Sequence, residues 1–151
     1  MIVLDTDILA IYHLFTHDKR YKITEAFMKD TRNDARGTTV FNLMELAGIV
    51  SASGKAPAAK KILETYAGAA DMKILYPSLA LQTPELFWVE YCAQIMTVME
   101  RGMRYGDAKI LWVAESRECS TLVTWNTAHY LDKTPLKIMT PADYCSAGES
   151  H

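Results

Sequence analysis

Four residues have types and positions that suit joint chemistry: Asp5, Glu45, Asp107 and Asn126. Asp5 directly follows the apolar run Ile2-Val3-Leu4, which reads as a buried strand, so its carboxylate stands at a strand's carboxyl end. Glu45 is the only charged residue between Gly37 and Gly54, on a helical row with Phe41 and Ile49. A carboxylate buried in such company neutralises, pairs or binds a cation. Asp107 follows Gly106 and opens a helix; Asn126 lies just past the β-like run Thr121–Thr124. Taken singly, Asp5 and Asp107 read as helix caps, Asn126 as a turn residue, and Glu45 equally as a stripe-edge residue reaching water. Together they place three carboxylates and a carboxamide at strand ends or on the adjoining helices. Two like charges about 4 Å apart repel by about 4 kcal/mol at an effective dielectric of 20, and a divalent cation relieves that repulsion. All-oxygen ligands select a hard ion, Mg²⁺ or Mn²⁺, over zinc. His13, His17, His129 and His151 stand in no HExxH or CxxC context. A carboxylate-held Mg²⁺ activates water and stabilises a phosphoryl transition state.

The elements that must position these groups follow from hydrophobic periodicity. Ile8, Ile11, Tyr12 and Phe15 form a helical stripe after Asp5, with Thr6 as the expected N-cap and Asp7 in the first turn. A second helix is expected within His17–Asn33. Thr38-Thr39-Val40 reads as a strand leading into the stripe Leu43, Leu46, Ala47 and Val50, which stops at Ser53-Gly54. Ala58–Ala70 reads as helical, and Lys73–Tyr76 as a strand stopped by Pro77. Thr83-Pro84-Glu85 starts a helix expected to reach about Arg101. Gly102–Gly106 breaks it, and Asp107 opens the next helix, with Ile110, Leu111 and Ala114 inward. Thr121–Thr124 and Leu136–Met139 are the last strands, and Thr140-Pro141 starts a short closing turn of helix. Short strands alternating with helices predict one α/β domain with a parallel sheet covered on both faces, ligands binding beyond the strands' carboxyl ends.

With 151 residues, half of them hydrophobic and 23% charged, the chain is an ordinary globular domain rather than a disordered, collagenous or coiled-coil one. Its formal charge of −2, from 16 basic and 18 acidic residues, argues against a strongly basic nucleic-acid clamp. Cys92, Cys119 and Cys145 are odd in number and widely spaced, which fits a reducing, cytoplasmic setting. Met1–Asp5 lacks the basic start of a signal peptide, and no apolar run is long enough to span a membrane.

The motifs in order resemble those of the PIN-domain ribonucleases, most closely the toxin component of VapBC-type toxin–antitoxin pairs. Ile2-Val3-Leu4-Asp5-Thr6-Asp7-Ile8-Leu9 resembles that family's first strand and acidic turn. Val40-Phe41-Asn42-Leu43-Met44-Glu45-Leu46 is similar to its second acidic motif, and Gly106-Asp107-Ala108-Lys109-Ile110-Leu111 with Ala114 to its third. Thr124-Trp125-Asn126-Thr127-Ala128-His129-Tyr130 resembles the fourth, and Ile138-Met139-Thr140-Pro141 the closing strand and turn. The resemblance covers residues 1–144, leaving 145–151 as an expected flexible tail. It implies an α/β/α sandwich with a central, mainly parallel sheet of four to five strands. It also implies metal-dependent endonucleolytic cleavage of RNA, a homodimer, and inhibition by a small antitoxin protein whose tail occupies the groove. The chain departs from the family in having Asn126 where Asp is usual, which weakens the case for a second metal ion, and Asp7 where Asn is frequent.

On this resemblance Asp5 and Asp107 hold Mg²⁺ or Mn²⁺, and Glu45 ligates too or deprotonates the attacking water. Asn126 supports that water or a carboxylate, and Thr6, Asp7 and Thr124 support the ligands. Arg101, Arg104 and Tyr105 are the candidates for gripping RNA. Lys19, Arg20, Lys22, Lys29, Arg32 and Arg36 form a basic run that reads more readily as a solvated helix face than as an RNA grip, and Trp125 reads equally as a base-stacking surface or as core packing. Two other readings compete. Asp5-Thr6-Asp7 also resembles the nucleophile and acid pair of haloacid-dehalogenase-like phosphatases, although Ile110 and Leu111 stand where that family needs an acid. A PIN-like scaffold that binds RNA or protein without cutting is the other.

Overall fold

Short apolar runs alternating with helical stretches give a single sheet wrapped by helices. The computed structural model describes residues 1–79 and 83–148. The strands are β1 (Ile2–Leu4), β2 (Arg36–Thr39), β3 (Lys73–Leu75), β4 (Thr121–Val123) and β5 (Lys137–Met139). They pair in parallel throughout, in the order β3-β2-β1-β4-β5. The α/β sandwich expected from the sequence is therefore present, and its sheet is wholly parallel among the described residues. The strand order turns outward in both directions from β1, so the switch point of the fold lies at β1 and β4.

The helices are α1 (Thr6–His13), α2 (Tyr21–Asp30), α3 (Val40–Ala52), α4 (Ala56–Ala59), α5 (Ile62–Ala67), α6 (Pro84–Met99), α7 (Tyr105–Ser116) and α8 (Pro141–Gly148), with a 3₁₀ turn at Thr127–His129. Strand alternation divides the core between two faces. Ile2 and Leu4 enter one apolar layer with Leu9, Phe27 and Leu43, while Val3 enters the other with Tyr91, Leu111 and Leu122.

Several element ends differ from the sequence reading. The cap of α1 is Asp5, whose side chain accepts from the Thr6 amide at 2.7 Å, and Thr6 is the first helical residue. A carboxylate at the strand end captures the first free N–H before the threonine can. The second helix is confined to Tyr21–Asp30, because Asp18 folds back on Arg20 in a tight turn ahead of it. The helix expected over Ala58–Ala70 is two pieces, α4 and α5. α7 starts at Tyr105, after the extended Arg104, so Asp107 lies in its first turn rather than at its cap. The chain end also differs. α8 runs on through Gly148, so residues 145–148 are helical where a flexible tail is expected, and Tyr144 within the same helix packs edge-on against Phe27 at 5.6 Å. The remainder of that expected tail, 149–151, lies outside the described residues.

Candidate functional site

Asp5 leaves β1 at the centre of the sheet and is 6% exposed. Its Oδ1 accepts from the Thr6 amide and from Asn42 Nδ2 at 3.0 Å, and its Oδ2 accepts from the Tyr130 hydroxyl at 3.3 Å. Burial, with Asp7 and Glu45 nearby, pushes the Asp5 carboxyl up to about 7. Burial also raises Asp7. Asp7 Oδ2 accepts from the Thr124 hydroxyl at 3.1 Å and from the Trp125 amide at 2.9 Å, whereas its buried Oδ1 meets no hydrogen-bond donor. Thr124 Oγ1 in turn accepts from the Asn126 amide at 3.0 Å, which fixes the turn after β4.

α3 brings in Glu45. The helix begins with a reciprocal cap in which Asn42 N donates to Thr39 Oγ1 and Asn42 Oδ1 accepts from the Thr39 amide and hydroxyl. The same Asn42 side chain donates to Asp5 Oδ1 and Thr6 Oγ1, so one residue ties β2, α1 and α3 together. One helical turn further on, Glu45 Oε2 accepts from the Thr6 hydroxyl at 2.7 Å, while Oε1 lies 3.3 Å from Lys109 Nζ. Glu45 is partly exposed, so of its two expected settings the edge of the apolar stripe is the one present, and it opens into the cleft. α7 contributes Asp107, whose Oδ2 is 3.3 Å from His129 Nδ1 on the 3₁₀ turn.

These groups line one cleft of about 410 Å³ at the carboxyl ends of β1 and β4: Asp5, Thr6, Asp7, Glu45, Asp107 and Asn126, with Arg20 and His129 at its edge. A larger cleft of about 710 Å³, between α1, α2 and α5, contains none of the carboxylates named above. Thr124 supports the site through Asp7 rather than from its wall. The expected RNA-gripping residues do not converge there. Arg101 is tied to Glu115 at 2.7 Å and to the Lys133 carbonyl at 3.2 Å. Arg104 is exposed ahead of α7, and Tyr105 shares its hydroxyl with Tyr91 at 2.8 Å. Within the basic run, Arg36 is buried on Asp71 and on the Met28 carbonyl, beside the larger cleft and not in the acidic one. The Trp125 indole donates to Thr24 and is half-buried.

The donor set fits a hard divalent cation. It is all oxygen, two of its carboxyls are raised by burial, and one buried carboxylate oxygen has no donor. Among the described residues no three Asp, Glu, His or Cys groups are clustered tightly enough to hold one ion between them. Mg²⁺ keeps several of its waters and takes only one or two carboxylates directly.

Sequence reasoning assigned no role to Asn42, Tyr130 or Lys109. All three fall inside the motifs quoted above, but their contacts join separate elements, and spacing along the chain does not reveal such contacts.

No protein-family profile matches the chain, and no curated protein sequence matches it. Solved structures do. A toxin–antitoxin complex from Klebsiella pneumoniae superposes with a TM-score of 0.61 at 17% identity, over 93% of this chain and 98% of that one. VapBC2 from Rickettsia felis, bound to a DNA fragment from its promoter, gives 0.61 at 20% identity over 91% and 97%. VapC20 of Mycobacterium tuberculosis, a toxin that cleaves the sarcin–ricin loop, gives 0.56 at 16% identity over 81% and 87%. The chain has the PIN-domain fold. The superposition on the Klebsiella pneumoniae and Rickettsia felis structures runs over nearly the whole length of both chains.

Proposed function

We propose that the protein is a Mg²⁺- or Mn²⁺-dependent endoribonuclease, the toxin of a type II toxin–antitoxin pair. One observation carries this reading: the buried Asp5 carboxylate shares its cleft with Glu45 and Asp107, at the switch point of a sheet that has the toxins' fold. The restraint that the net charge placed on a nucleic-acid partner is local. Four of the 18 acids line the cleft with one of the 16 basic residues, Arg20, leaving 14 acidic against 15 basic residues elsewhere.

Asp5 and Asp107 would hold the metal, which supplies charge neutralisation for the phosphoryl transition state and acidifies water. Asn42 and Tyr130 keep Asp5 aimed, and His129 orients Asp107. Glu45, fixed by the Thr6 hydroxyl, would ligate the metal as well, or orient the attacking water and accept its proton. Asn126 presents its carboxamide to the same space, with the Thr124–Asp7 pair holding its turn. In-line attack leaves a 3′-hydroxyl and a 5′-phosphate. The buried Ile110 and Leu111 contribute to the core, so nothing there serves the phosphatase reading. From the same resemblance come a small antitoxin partner and a homodimer. No described helix is long and apolar enough to cross a membrane.

The test is cleavage of single-stranded and structured RNA with and without Mg²⁺. We expect Mg²⁺-dependent product with 5′-phosphate ends, lowered at least about 100-fold by Asp5→Asn or by Asp107→Asn. Cleavage that survives both substitutions would refute the assignment. Mg²⁺ binding with no cleavage of any RNA would favour the non-catalytic scaffold.

A further inference from the structure

Glu45 and Lys109 meet across the rim of the cleft, one from α3 and one from α7, with Nζ 3.3 Å from Oε1. Lys109 Nζ also lies 5.5 Å from the centroid of Phe41 and 5.4 Å from that of Tyr105. Each ring precedes its charged neighbour by one helical turn, Phe41 before Glu45 and Tyr105 before Lys109, so each helix presents a ring and a charge on one row. The ammonium is therefore caged by two π faces and a carboxylate. The cage is itself fixed: the Tyr105 and Tyr91 hydroxyls are 2.8 Å apart, and Phe41 packs against Tyr91 at 6.2 Å. Lys109 is the more buried of the pair, its side chain 16% exposed against 34% for Glu45. Exposed lysines are the rule, and one held this way has a defined charge at a defined place.

That charge faces an acidic cleft. Arg20 is paired with Asp18, and His129 beside Asp107 is a cation only when protonated. Among the described residues, Lys109 is the one permanent cation in ion-pair contact with a cleft carboxylate. It occupies Glu45 Oε1, while the Thr6 hydroxyl occupies Oε2. A metal ion drawing on Glu45 must displace the lysine or share the oxygen with it.

We propose that Lys109 is the resident counter-ion of the cleft and a positioning residue for Glu45: it holds that carboxylate in the metal-free protein and competes with the divalent cation for it, keeping metal affinity low. This inference rests on the cleft being a metal site, as proposed above. It gives two readouts of opposite sign. Removing the charge removes a competitor, so Lys109→Met binds Mg²⁺ about three- to tenfold more tightly. The same substitution frees Glu45 from its place, so kcat for RNA cleavage falls about tenfold while KM for RNA stays within about twofold. A lysine that merely supported the fold would weaken both.

The experiment is calorimetric titration of Mg²⁺ into the full chain, as wild type, Lys109→Met and Lys109→Arg, with RNA cleavage and thermal melting in parallel. Tighter binding in Lys109→Met, with wild-type affinity and partial recovery of cleavage in Lys109→Arg, is the expected result. Binding that is unchanged or weaker in Lys109→Met overturns the proposal, as does the absence of Mg²⁺ binding in all three proteins. Glu45→Gln supplies a second route: in that background Lys109→Met should no longer tighten binding, and tightening there would show that the lysine does not act through Glu45. If the affinity order holds but the wild type cleaves no RNA, the nuclease reading fails and the counter-ion role stands.

Discussion

Asp5 is where the sequence, the fold and the electrostatics meet. A carboxylate at the end of a central strand must leave water to complete α1, and the folded protein then disfavours its charge. Its carboxyl, pushed up to about 7, stays protonated in the folded metal-free protein at pH values where the unfolded chain has already released that proton. Folded protein binds more protons than unfolded between about pH 4 and 7, so stability falls as pH rises through that window, and the penalty is complete above it. Asp7, raised by burial, acts in the same direction. Asp5→Asn removes the Asp5 contribution and keeps an oxygen for the Thr6 amide. We therefore expect this variant, in EDTA, to lose less stability than wild type between about pH 4 and 7. At about pH 8 it should be more stable by roughly 1–3 kcal/mol. Urea denaturation across the range measures both. A wild type at least as stable as Asp5→Asn at pH 8 would mean that the buried carboxylate carries no such penalty. Mg²⁺ should narrow the gap by stabilising only the wild type.

At the scale of elements, α3 shows what the chain's pattern discloses and what it withholds. The stripe of Leu43, Leu46 and Val50 marks the helix, and the isolated Glu45 marks the site, because both signals are local. The five strands were legible for the same reason, although β2 is Arg36–Thr39 rather than the expected Thr38–Val40: Arg36 and Gly37 carry no apolar signal, and Val40 opens α3 behind its Thr39 cap. Element starts were less so: Asp5 rather than Thr6 caps α1, and Arg104 rather than Gly106 precedes α7, since caps are decided by which side chain reaches the first free amides. Asn42 was silent for a deeper reason. Its local role, the cap with Thr39, is legible from spacing, but its donation to Asp5 and Thr6 depends on β1 and β2 lying side by side. Asn42→Ala should cost about 1–3 kcal/mol, by losing the cap and one donor to a buried carboxylate. Asn42→Asp preserves an oxygen for the Thr39 amide but sets a further buried carboxylate against Asp5, so it should be the more destabilising of the two at neutral pH and not at about pH 4. Denaturation at both pH values separates them, and equal losses at neutral pH would show that Asn42 acts only as a cap.

At the scale of the molecule, the outer face of α6 is the least finished surface. α6 buries Tyr91, Ile95 and Val98 in the apolar layer it shares with α7, yet its other side exposes Trp88, Val89, Cys92 and Met96, with the exposed Glu85 one turn ahead of Val89. Trp88, which meets the core only edge-on at Tyr91, is 60% exposed and Val89 68%, so most of each side chain lies outside the monomer's own core. Contiguous apolar surface of this kind marks association, and a helix face that closes on its own copy about a two-fold axis is the simplest way to cover it. We expect the chain of 17.0 kDa to behave in light scattering as a particle of twice that mass. Trp88→Glu together with Val89→Glu should return it to the monomer mass, because a dimer would have to bury two pairs of unpaired carboxylates. The double variant should keep its secondary structure, since neither side chain belongs to the core, and it should melt at a temperature independent of protein concentration where the wild type does not. A wild type that scatters as a monomer at about 50 µM would assign this face to a partner other than a second copy. The mass measurement therefore decides between two partners for the same surface without reference to the chemistry of the cleft.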